Sequence, residues 1–102
     1  MTSLPNHLVN QKTIKSRNFD IFMSVVRHQG GFKFTKATVT QTSLKSVTSD
    51  GFKNLEFKIA NDDNSYAFSM PAGSRLGTGS EIEFRYDNVT KDVVFCNKLS
   101  AA

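Results

Sequence analysis

Few residues in this chain are of types that carry out covalent chemistry. The histidines are His7 and His28, and the single cysteine is Cys96. A thiolate nucleophile needs a base within hydrogen-bond reach, and no local motif joins Cys96 to either histidine. A structural zinc site needs about four ligands, commonly in closely spaced pairs, which one cysteine and two distant histidines do not supply. Glu81 and Glu83 share the outward phase of an alternating run, where solvation accounts for them. Asp62 and Asp63 fall in the turn-forming stretch Asn61-Asp62-Asp63-Asn64, which lacks the glycine and closing glutamate of a calcium loop. The run Gly73-Ser74-Arg75-Leu76-Gly77-Thr78-Gly79-Ser80 has glycines and an arginine. It has no Gly-Lys-Ser/Thr ending, and a strand pattern, not a helix, follows it. The expectation is a non-catalytic chain with no metal and no cofactor.

Residues suited to binding are better represented. Lys33, Lys36, Lys53, Lys58 and Arg85 fall on or beside the solvent sides of strand-patterned runs, with Arg27 and Lys45 in adjacent turns. Phe22 and Phe52 are off the main apolar phase of their runs. Exposed aromatic rings stack on bases while lysines follow the phosphates, so these nine residues form a candidate nucleic-acid-binding set. For Phe34, Phe57, Phe68, Phe84 and Phe95 the expectation is the core. For Phe22 and Phe52 both the core and the surface remain open.

The elements that must position these residues are strands. Leu55, Phe57 and Ile59 alternate with Asn54, Glu56 and Lys58, and Tyr66, Phe68 and Met70 alternate with Ser65, Ala67 and Ser69. Joined by four small polar residues, the two runs predict an antiparallel hairpin. Ile82, Phe84 and Tyr86 predict another strand, and Val93 to Phe95 a short last one. Phe19 to Val26 reads as a first strand with apolar residues on both faces, followed by a turn over Arg27–Gly31. Phe32 to Thr40 reads as a second strand. Its apolar phase changes between Phe34 and Ala37, which predicts a β-bulge near Thr35-Lys36. Gln41 to Asp50 reads as a loop or a ragged edge strand, and Pro71 to Ser80 as an irregular loop with Leu76 as a plug. Residues 1–18 read as a basic, partly ordered arm holding at most a helical turn, 19–99 as one β domain, and 100–102 as a tail.

The totals agree with this plan. A chain of 102 residues makes one domain and buries only about two-thirds of its unfolded surface. Apolar residues are only 38% of the chain, and nine Phe and two Tyr compensate through their large buried areas. The fold class expected is all-β: a small barrel or curled antiparallel sheet of five to seven strands. A five-stranded barrel with a long, bulged early strand is similar to OB-type barrels, which hold single strands. The chain departs from that pattern in lacking a helix between the third and fourth strands.

The formal charge is +4, and it is uneven: residues 1–58 hold nine Lys/Arg against three Asp/Glu, and residues 59–102 hold four against six. A basic front half suits a phosphate-bearing partner and speaks against mimicry of nucleic acid. The expected partner is single-stranded DNA or RNA, bound with little sequence preference. The alternative is a protein partner, with the chain acting as a small interaction or inhibitory module of the kind phages and mobile elements carry. One cysteine permits no internal disulfide, and no secretory h-region or bilayer-length apolar run is visible, so the expected setting is the cytoplasm, without a membrane.

Overall fold

A computed structural model describes residues 12–23 and 32–99. Six strands form one antiparallel sheet: β1 (Lys12–Lys15), β2 (Phe32–Val47), β3 (Phe52–Ile59), β4 (Tyr66–Pro71), β5 (Glu81–Asp87) and β6 (Val93–Lys98). The spatial order is β1-β6-β5-β2-β3-β4. β2, β3 and β4 follow one another as hairpins, and β5 returns to lie beside β2, which is a Greek key. The sheet then curls until β4 meets the start of β6. An isolated parallel bridge joins Ala67 to Asp92, and the Ala67 N–H donates to the Lys91 carbonyl at 3.0 Å. The result is a nearly closed barrel in which β2–β6 follow the general plan of OB-type folds. Residues 72–80, between β4 and β5, contain no helix, and Leu76 is buried there.

β2 makes the curl. Its first half pairs with β5 from Phe32↔Asp87 to Thr38↔Glu81, and its second half pairs with β3 from Val39↔Ile59 to Val47↔Lys53. Register shifts between Val39 and Gln41 and between Leu44 and Ser46 bend the strand where it changes partner. The bulge expected near Thr35-Lys36 is absent, since pairing with β5 runs unbroken there. The phase change has another cause: Phe32 and Phe34 face outward, while Ala37 and Val39 face the core. Of the two readings of Gln41 to Asp50, loop or ragged edge strand, the strand holds as far as Val47, paired with β3.

The core is the inward phase of the barrel. Phe57, Tyr66, Phe68, Met70, Ile82 and Phe84 are all essentially solvent-free. Tyr66 lies at its centre, stacked on Phe57 at 5.7 Å and edge-on to Phe84 at 5.1 Å and Tyr86 at 4.9 Å. Its hydroxyl donates to Asp62 Oδ2 at 2.6 Å, which gives the buried ring's polar end a partner. Asn61, at φ 63°, supplies the left-handed residue of the β3–β4 turn, and Asn tolerates that conformation better than most side chains.

Two expectations at the N-terminal end are corrected. The arm carries β1, which pairs with β6, and Ile14 on β1 is buried opposite Cys96. Beyond it, Ser16 N–H donates to the Val94 carbonyl and Arg17 N–H to the Ser69 carbonyl, both at 2.8 Å, so the segment stitches β6 to β4. Residues 19–23, expected as strand, are helical. Phe22 N–H donates to the Asn18 carbonyl at 2.9 Å, which makes Asn18 the N-cap. Residues 1–11, the turn around Arg27 and His28, and residues 100–102 lie outside the described residues. Among the described residues, no helix is long and apolar enough to cross a membrane.

Candidate nucleic-acid interface

The outward phase of β5 is Glu81, Glu83, Arg85 and Asp87, because Ile82, Phe84 and Tyr86 face the core. Register carries that phase across the neighbouring strands. Arg85 lies opposite Phe34 on β2 and opposite Phe95 on β6, and Phe95 lies opposite Lys15 on β1. One lateral row therefore reads Lys15, Phe95, Arg85, Phe34, alternating cation and aromatic ring. Adjacent strands are about 4.8 Å apart, so the row spans roughly 14 Å.

Contacts within the row are direct. The Phe34 and Phe95 rings are 6.0 Å apart and tilted by 52°. The Arg85 guanidinium lies 5.7 Å from the Phe34 ring centroid. Phe34 is 50% exposed, while Phe95 is half-buried because Phe19, from the helical turn, meets it edge-on at 5.9 Å. The Lys15 ammonium is 4.8 Å from the Phe19 ring. Arg85 Nε is buried and finds no hydrogen-bond partner among the described residues. A guanidinium has five donors and no acceptor, and its terminal nitrogens, not the buried Nε, are the donors an anionic oxygen would meet. In the next row, Lys36 lies exposed opposite Glu83, with Asn97 and Thr13 beyond.

Of the expected set, only Arg85 and Lys36 belong to this face. Phe22 sits at its margin, half-buried, with its ring 6.1 Å from that of Phe32. Lys33 is exposed but in the phase of Thr35 and Ala37, opposite Tyr86. Lys45, Phe52 and Lys58 lie apart, on the β2–β3 hairpin. Lys45 pairs with Glu56 at 3.7 Å, and Phe52 is half-buried with the Arg17 guanidinium 5.7 Å from its ring. Lys58 is partly covered, opposite Gln41. Lys53 is in the core phase at one end of the barrel, and its ammonium donates to the Ser74 carbonyl at 2.6 Å, holding the β4–β5 loop. Arg27 lies outside the described residues. The sequence reading missed Lys15, Phe19, Phe34 and Phe95. Phe34 and Phe95, expected in the core, stand on the outer face; for Phe34 the signal was its phase difference from Ala37.

Three other ionisable groups serve the fold. The Tyr66 hydroxyl, followed by the Asn64 N–H, holds the Asp62 carboxyl below the usual range. Asp50 is lowered by the Thr48 hydroxyl and then by Arg17, which pairs with it and ties the segment after β1 to the β2–β3 turn. Burial pushes the Cys96 thiol up to about 12, so it is protonated at neutral pH. No cluster of metal-ligating side chains occurs among the described residues.

The chain matches no protein-family model, no curated protein and no solved structure.

Proposed function

We propose that this protein is a non-catalytic binder of single-stranded nucleic acid, and that the Lys15–Phe95–Arg85–Phe34 row is its contact surface. The observation that carries this is Phe34, an exposed ring on a strand face with a guanidinium against it and a second ring 6.0 Å away. Rings so placed stack on bases, and the cations between them reach the phosphates. The ring spacing exceeds the roughly 3.4 Å rise of stacked bases, and the planes are tilted, so adjacent bases on the two rings are splayed apart. That geometry suits an unpaired strand and not a duplex. A cytoplasmic setting fits a lone cysteine buried as a free thiol.

A protein partner is the second reading, favoured by Leu44 and Val47. These apolar side chains are 56% and 62% exposed on the β2–β3 hairpin. Fluorescence anisotropy with labelled DNA and RNA strands of about 12 nucleotides separates the two readings. Binding to the single strands, and loss of it in the Phe34→Ala/Phe95→Ala variant, is the expected result. An absence of binding at low salt overturns the nucleic-acid reading.

A further inference from the structure

A groove of about 390 Å³ opens on the other side of the helical turn, between the segment after β1 and the outer faces of β3 and β4. That volume lies at the small end of ligand pockets. Its wall includes Asn18, Phe22, Lys45, Asn54, Glu56 and Asp92. Phe22 belongs to two places at once: it lines the groove, and its ring packs on Phe32 at the edge of the aromatic face. The groove thereby adjoins the proposed strand-binding surface, with Phe22 between them.

Its chemistry differs from that of the row. Glu56 and Asp92 bring two carboxylates, which repel phosphate. Lys45 is paired with Glu56 at 3.7 Å. Asn54 gives one of its two amide N–H groups to Ser46 Oγ at 2.8 Å and keeps the other, with its carbonyl oxygen, for a ligand. Two carboxylates in the lining, with an aromatic ring beside them, suit the edge of a base that carries donors. Ionised carboxylates only accept, and the exocyclic amino group of cytosine, adenine or guanine donates, whereas uracil and thymine carry carbonyls and no amino group.

We infer that this groove is a base-selective subsite, and that it takes an amino-bearing base of the strand whose neighbouring bases lie on the aromatic row. The inference rests on the nucleic-acid reading and adds a preference to it. Where composition suggested binding indifferent to sequence, the groove gives the protein a bias toward the amino-bearing bases over uracil and thymine.

The test is competition anisotropy of the full chain with oligo(dC) and oligo(dU), which are alike in ring size and backbone. The expected result is that oligo(dC) binds roughly fivefold or more tighter. The ratio falls toward unity in the Glu56→Gln/Asp92→Asn variant, even as the lost negative charge raises affinity for both strands. If the double variant loses its far-ultraviolet circular dichroism, Glu56→Gln alone reads the same ratio. Equal binding of the two oligonucleotides by the native protein, or a ratio that survives the substitutions, overturns the subsite and leaves the aromatic row standing. Binding of neither at low salt overturns both.

Discussion

Phe34 and Phe84 come from neighbouring strands and face opposite ways. Phe84 is fully buried among Phe57, Tyr66 and Tyr86, so Phe84→Ala should cost about 3–5 kcal/mol in urea denaturation. Phe34, half exposed, should tolerate the same change within roughly 1 kcal/mol. Binding inverts the order, because losing one stacking platform should weaken single-strand affinity roughly 5- to 150-fold. A Phe34→Ala protein that binds as well as the native one would remove the row from consideration. A second residue, Asp62, governs behaviour in acid. Its folded pKa is depressed, first by the Tyr66 hydroxyl, below an unfolded value of about 3.9. Its contribution is therefore present above that pH and disappears as the pH falls through the folded value. Melting temperatures of native protein and Asp62→Asn should differ at pH 6 and converge below about pH 4. The carboxylate lies near the surface, so the gap should be modest. A gap that persists unchanged to pH 2 would show that Asp62 stabilises through its shape and not its charge.

At the scale of elements, β1 is part of the barrel and not a dispensable arm. Ile14 lies 5% exposed opposite Cys96, so Ile14→Ala should cost about 2–5 kcal/mol, as a core truncation does. A change under about 1 kcal/mol would mean that β1 only rests on the barrel. Nothing in the sequence around Lys12–Lys15 announces this strand. It has a single buried apolar residue, and its register partners on β6 lie eighty or more positions away, so its order comes from tertiary pairing and not local propensity. The helical turn was misread for a different reason. Phe19, Ile21 and Met23 alternate like a strand, yet Phe19, Phe22 and Met23 also stand at i, i+3 and i+4, and a short run cannot separate the two periods. The deciding signal was Asn18, a good N-cap. By contrast β3, β4 and β5 were legible because each buries one clean phase against a shared core. The aromatic row was not, because β2 is outward-aromatic in its first half and inward-apolar at Ala37 and Val39. A bulge produces that same pattern in one dimension, and only pairing with β5 distinguishes the two.

At the scale of the molecule, the question is where the excess positive charge acts. The +4 total is the balance of thirteen Lys/Arg against nine Asp/Glu, and salt at physiological strength screens charges more than about 8 Å apart. Net charge therefore draws a polyanion in, but the bound complex depends on the few cations that touch phosphates. The row and its neighbour offer three: Lys15, Arg85 and Lys36. Single-strand binding loses about 0.7 in the slope of log affinity against log salt for each phosphate neutralised, so three contacts predict a slope of roughly −2. Lys36→Gln should reduce that slope to roughly −1.4, because it removes one contact and leaves the stacking rings in place. Lys58→Gln makes the control. It removes the same charge from the molecule, but Lys58 projects from β3, which does not belong to the four strands of the row. Its slope should stay near that of the native protein. If Lys58→Gln lowers the slope and Lys36→Gln does not, the strand tracks along the β2–β3 hairpin, past Lys45 and Phe52, and the aromatic row is not its path.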